Sequence, residues 1–172
     1  MNLEAGRDGC PLVCLVDMQQ SVDEAMLIIR AHVATSNLGA GETRVPPLVF
    51  SRLARGSKST FLRLVFDRLK QEGFAPIFIN CNGSFIRREG ESNIDAINRL
   101  IASQLVDLPP ASKPINILCN PAYLLNYIAT HCEGKQVVLL IDELNFLGAP
   151  LDAVTSEYLK NSFLDRENRY LV

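Results

Sequence analysis

A chain of 172 residues with 48% hydrophobic content has the size of one domain, which buries roughly 70% of its unfolded-chain surface. Its formal net charge of -2 supplies no bulk positive field for unspecific attachment to nucleic acid or to an acidic membrane. The five cysteines, Cys10, Cys14, Cys81, Cys119 and Cys132, are scattered and form no C-x-x-C pair, so reduced thiols are expected rather than a disulfide frame or a zinc site.

The opening residues lack the basic start and longer apolar run of a signal peptide, and no apolar stretch approaches the ~20 residues needed to span a bilayer. A soluble, intracellular protein, cytoplasmic or nuclear, is the expectation. Leu12-Val13-Cys14-Leu15-Val16, closed by Asp17, has strand length and reads as a buried strand. Ser21-Val22-Asp23-Glu24 matches a capping box, and Ala25, Met26, Ile29 and Val33 continue at helical spacing towards Gly39 and Gly41. Residues 1–44 are therefore expected to be a strand and a helix leading into a core that spans 45–172.

That core opens with a short run, Leu48-Val49-Phe50, followed by a polar loop. From Ser59 to Glu72, the residues Leu62, Val65, Phe66 and Leu69 predict a helix, with Gly73 placed to stop it. Pro76 to Cys81 predicts a second buried strand before the turn pair Asn82-Gly83, and a polar loop runs from Arg87 to Glu91. Ser92 or Asn93 caps a helix carrying Ile94, Ile97, Leu100, Ile101 and Leu105, which Pro109-Pro110 ends. Asn120-Pro121 starts another helix, with Leu124, Tyr127 and Ile128 as its apolar stripe and Gly134 beyond its end. Val137 to Ile141 is apolar at every position, the pattern of a strand buried on both faces of a parallel sheet. A helix from about Thr155 to Leu164 and a strand over Tyr170 to Val172 complete the series. Strands alternating with helices imply a doubly wound α/β fold, mainly parallel, with helices on both faces and ligands at the carboxyl ends of the strands.

Two segments carry the chemistry. A phosphate-binding loop of the Walker A type reads G-x-x-x-x-G-K-[ST]: its N–H groups converge on phosphate, its lysine meets the β and γ phosphates, and its hydroxyl holds magnesium. Aligning on Lys58 puts Ser59 at the hydroxyl position, Arg52 at the first glycine and Ser57 at the second, with Gly56 one place early. The strand before and helix after supply the context that the pattern requires. Arg55, Gly56, Ser57, Lys58, Ser59 and Thr60 are the expected nucleotide-binding residues. Ser57 works against affinity, because a side chain where the loop wants positive φ costs about 1 to 2 kcal/mol. The second segment, the apolar strand ending in Asp142-Glu143, has the form of a Walker B motif. Asp142, with Ser59, is expected to hold magnesium, and Glu143 to polarise the attacking water as the catalytic group. Roughly eighty residues separate the two motifs, a spacing that suits the additional-strand class of P-loop ATPases with a catalytic glutamate, which includes the AAA+ and STAND ATPases.

Leu53-Ala54-Arg55-Gly56-Ser57-Lys58-Ser59-Thr60 resembles the A-R-G-G-K-T loop of the NTPase modules in Crinkler effectors and trypanosomatid retrotransposon hot spot proteins. Phe78 to Gly83, Arg88 to Glu91, Leu140 to Glu143, Phe163 to Asp165 and Tyr170 to Val172 are similar to segments of the same modules, so the resemblance covers about Val45 to Val172. It implies a P-loop ATPase module, using ATP and Mg2+, that accompanies a nuclease-like or other effector domain. It also implies a further strand with a polar sensor residue and an arginine finger that this sequence does not reach, hence a C-terminally truncated fold or a fragment.

The remaining candidates read as structural. Asn145 after the acidic pair is a turn residue before it is a water ligand, Arg87 and Arg88 belong to a solvated loop, and His32 and His131 lack partners at ligand spacing. The expected function is ATP binding and hydrolysis; a degenerate P-loop scaffold is the alternative, and a small-molecule phosphotransferase a weaker third. Expected partners are nucleotide first, with a protein partner or self-association left open.

Overall fold

The computed structural model describes residues 12–37, 46–49, 58–82, 88–107, 115, 118–132, 134–148, 150–166 and 168–172, with side chains of the first helix described over 18–34. The expected loop residues Arg55, Gly56 and Ser57, together with Arg52, Gly39, Gly41, Gly83, Arg87 and the proline pair, lie outside them.

At the centre is a parallel sheet. The described strands are β1 (Ala75–Asn80), β2 (Val137–Asp142) and β3 (Arg169–Leu171), in the order β1-β2-β3. Ala75 pairs with Val137 and Asn80 with Asp142, while Val137 pairs with Arg169. Val137, Val138, Leu139 and Leu140 are all buried, as expected of a central strand that receives helices on both sides.

Alternation of side chains sorts the core into two layers. On one face, Ile77, Ile79, Val137 and Leu139 pack with α3 (Asn93–Leu105), α4 (Pro121–His131) and α5 (Ala153–Leu159) through Ile97, Ile101, Leu124, Ile128 and Leu159. On the other, Val138, Leu140 and Tyr170 pack with α1 (Leu12–Asn37) and α2 (Lys58–Gln71) through Met18, Val22, Met26, Ile29, Phe61, Val65 and Leu69. The chain is thus a mixed α/β structure with helices on both faces of a parallel sheet.

Two sequence expectations are overturned. Leu12 to Val16 is the start of α1, not a strand, and Ser21 lies inside that helix rather than capping it. A short apolar run is compatible with either state, and here the stripe Met18, Val22, Ala25, Met26 and Ile29 continues at helical spacing and is buried against α2 and the sheet. Asp17 accordingly sits in a helix. The strand expected over Leu48-Val49-Phe50 is likewise not formed in its described part: residues 46–49 carry no strand, and Leu48 N donates to Leu171 O at 3.0 Å. The remaining elements agree with the pattern within a residue or two. Ser92 caps α3 by accepting from Asp95 N, Asn120 caps α4 by accepting from Ala122 N with Pro121 behind it, and Gly73 (φ 84°) and Gly134 (φ 73°) take the left-handed turns. Beyond α5 the helix widens into a π turn over Lys160–Leu164, whose Ser162 carbonyl accepts from Arg169 Nη1 at 3.0 Å. Among the described residues no helix is long and apolar enough to cross a membrane.

Two polar ties hold loops to this frame. Arg99 on α3, with its side chain 3% exposed, meets Glu91, 10% exposed, at 2.7 Å, and Glu91 Oε2 also accepts from Arg88 N at 2.7 Å. Glu91→Ala leaves the buried guanidinium without its carboxylate and is expected to lower stability by about 3 kcal/mol, read from denaturant unfolding. At the other tie, Asp152 caps α5 by accepting from Thr155 N at 2.8 Å, and Asn93 Nδ2 donates to Asp152 Oδ2 at 2.7 Å and to Leu147 O at 2.9 Å. The Thr155 hydroxyl and N–H, and then Asn93, pull the Asp152 carboxyl down to about 2. Its pKa is depressed on folding, so its stabilisation is complete above the unfolded carboxyl range near 4 and is lost as pH falls towards 2. Asp152→Asn is expected to flatten the fall in melting temperature between pH 4 and pH 2.

Candidate functional site

Helix α2 forms because Phe61, Leu62, Val65 and Leu69 share one buried face. It ends next to the amino edge of the sheet: Gly73 reverses the chain, Phe74 N donates to Leu69 O at 3.0 Å, and β1 begins at Ala75. Fourteen helical residues rise about 20 Å, matching the roughly 20 Å length of a six-residue strand. α2 packs on both the sheet and α1; running back from Gly73 over a length matching the strand, it starts towards the carboxyl ends of the strands, and Lys58, Ser59 and Thr60 form its first turn, each half-buried.

Strand alternation brings the acidic residue to the same place. Asp142 has the parity of Val138 and Leu140, and Asn80 that of Phe78, all of which pack on the α2 side. Asp142 is 2% exposed. Among the described residues its side chain meets Asn80, whose Nδ2 donates to Asp142 Oδ2 at 3.4 Å. The first turn of α2 contains no acidic residue, so the partial positive charge of the helix start is not cancelled from within and is joined by the Lys58 ammonium. A helix start, a lysine, a hydroxyl and a buried carboxylate thus share one end of one face.

The neighbouring Cys81 has the opposite parity and is fully buried in the other core layer. Burial, with the Asp142 charge behind it, pushes its thiol up to about 11, which makes it a packing residue and not a nucleophile.

Glu143 follows Asp142 with φ 58° and ψ 40°, a left-handed conformation at a residue with a side chain. The chain leaves the strand abruptly there: Glu143 O accepts from Phe146 N at 3.0 Å, and Leu144–Leu147 form one 3-10 turn. The Asn93 tie to Leu147 fixes the far end of that turn. A conformation costing about 1 to 2 kcal/mol at the tip of the central strand is the kind of strain that collects at working sites.

Other sequence candidates fall elsewhere. Asn145 is exposed within the 3-10 turn, and its carbonyl accepts from Gly148 N. Arg88 is exposed in the loop before α3. His131 stacks on Tyr127 at the end of α4, with ring centroids 3.7 Å apart, and His32 lies on α1. Among the described residues no three His, Cys, Asp or Glu side chains cluster as metal ligands. Asn80 had no role in the sequence reading, although its position at the end of a strand adjacent to the acidic one was the available signal. The Asn93–Asp152 tie, across 59 residues of sequence, left no local signal.

The strain at Glu143 is measurable. Glu143→Gly removes the Cβ conflict and is expected to raise stability by about 0.5 to 1 kcal/mol, whereas Glu143→Val, β-branched, lowers it by about 1 kcal/mol or more; denaturant unfolding reads both. No protein-family model, curated protein or solved structure matches this chain.

Proposed function

We propose that the chain is a P-loop ATPase module of the additional-strand class, binding ATP with Mg2+ and hydrolysing it slowly, coupled to an effector activity. What supports this reading is the packing of α2, whose first turn carries Lys58 and Ser59, on the sheet face to which strand alternation assigns Asp142. Strand order gives further support. Leu48 N donates to Leu171 O at 3.0 Å, so the segment feeding the loop runs beside β3, and β3 stands between it and the acid-bearing β2. An inserted strand at that position is what the class name describes.

In this reading the N–H groups of residues 55 to 60 and the Lys58 ammonium bind the phosphates. The Ser59 hydroxyl and the Asp142 carboxylate fit magnesium, since both are hard oxygen donors and a buried carboxylate that, among the described residues, meets one long side-chain bond retains acceptor capacity. Such an ion, when bound, neutralises charge on the phosphate oxygens. Glu143, turned out of the strand by its left-handed backbone, orients and polarises the attacking water. Ser57 in place of the loop's second glycine favours modest affinity. With this chemistry the protein acts inside the cell, where ATP is supplied and its cysteines stay reduced.

Calorimetric titration with ATP and magnesium tests the reading. Saturable binding is expected in the wild type, with Lys58→Ala weakening it at least tenfold. Glu143→Gln is expected to leave binding intact and to lower phosphate release about 100-fold. Unchanged binding in the Lys58 variant sinks the proposal, and absence of binding in the wild type leaves the degenerate scaffold in its place.

A further inference from the structure

We propose that Asn80 is a positioning residue for the metal-binding carboxylate of Asp142, an inference that rests on the nucleotide reading above. Register sets the two residues directly opposite each other at the carboxyl ends of β1 and β2, and alternation turns both towards α2. The amide of Asn80 is oriented from its other side. Asn82 N donates to Asn80 Oδ1 at 2.6 Å, closing a turn of the Asx kind, and this commits Nδ2 to the direction of Asp142. There it donates to Oδ2 at 3.4 Å. The backbone of the pair is locked as well, since Cys81 N donates to Asp142 O at 2.9 Å. One carboxylate oxygen is thereby held, and among the described residues Oδ1 is the oxygen whose acceptor capacity remains for a cation or its water shell.

The chemistry of the donor matters. A lysine or arginine at residue 80 would neutralise Asp142 and compete with a cation, whereas a neutral amide orients the carboxylate and leaves its charge in place. Asn80 is itself exposed, so its replacement opens no cavity, and its effect is expected in the site rather than in the core.

The test is calorimetric titration of ATP into the full chain, once in EDTA and once in excess magnesium, for wild type, Asn80→Ser and Asn80→Ala. Serine keeps an oxygen for the Asn82 N–H but is too short to reach Asp142, so it separates the turn from the carboxylate contact. In both variants the affinity in EDTA is expected to stay within about threefold of wild type, while the gain contributed by magnesium falls about tenfold or vanishes. A magnesium gain in Asn80→Ser equal to that of wild type overturns the inference and leaves the nucleotide reading standing. Equal weakening in EDTA and magnesium also overturns it, because Asn80 then only supports the local fold. A wild type that binds no ATP in either condition removes the nucleotide reading and this inference together.

Discussion

Burial of β2 from both sides is the constraint on which the rest of the structure depends. Val137 to Leu140 present apolar side chains to both faces, so neither face can be left to water and each must receive helices. Its neighbours β1 and β3 take up its backbone hydrogen bonds on either edge, and the helices they alternate with fill the two core layers. The candidate site is a consequence of the same burial, because the chain can become polar again only where β2 ends, at Asp142 and Glu143.

The site then follows from two geometric rules acting together. Alternation assigns Asp142 and Asn80 to the face that α2 covers. The tight turn at Gly73 starts β1 where α2 finishes, so a helix and a strand of matched length run in opposite directions and the start of α2 returns to the strand tips. Neither rule refers to phosphate or metal. They set the first turn of α2, with Lys58 and Ser59, over the sheet face to which Asp142 belongs. Glu143 is the point where packing yields: the backbone takes a left-handed turn that a side chain resists, and the Asn93 tie to Leu147 holds the far end of the segment that follows it.

The first helix marks the limit of pattern reading. Leu12 to Val16 and Val137 to Ile141 look alike as short apolar runs closed by an acid, yet one begins a helix and the other is the central strand. An apolar run of five residues is compatible with either state, and the rest of the element decides between them. For Val137 to Ile141 two strands offer ladders. For the segment beginning at Leu12 the continuing stripe through Ile29 finds its partner in α2, and a helix satisfies its backbone without any neighbour.

What the sequence by itself determined is therefore local: the caps at Ser92 and Asn120, the left-handed glycines Gly73 and Gly134, the strands of the sheet, and the acidic pair at the end of the most apolar one. Each rests on interactions between residues a few positions apart, which composition and spacing record directly. Only the tertiary structure decided that Leu12 to Val16 is helical, that Leu48 lies beside Leu171, that Asn80 faces Asp142, and that Asn93 clasps Leu147 and Asp152. Those contacts join positions far apart in the chain, and they are chosen by which faces remain to be buried once the sheet has formed, a condition that no short window of sequence contains.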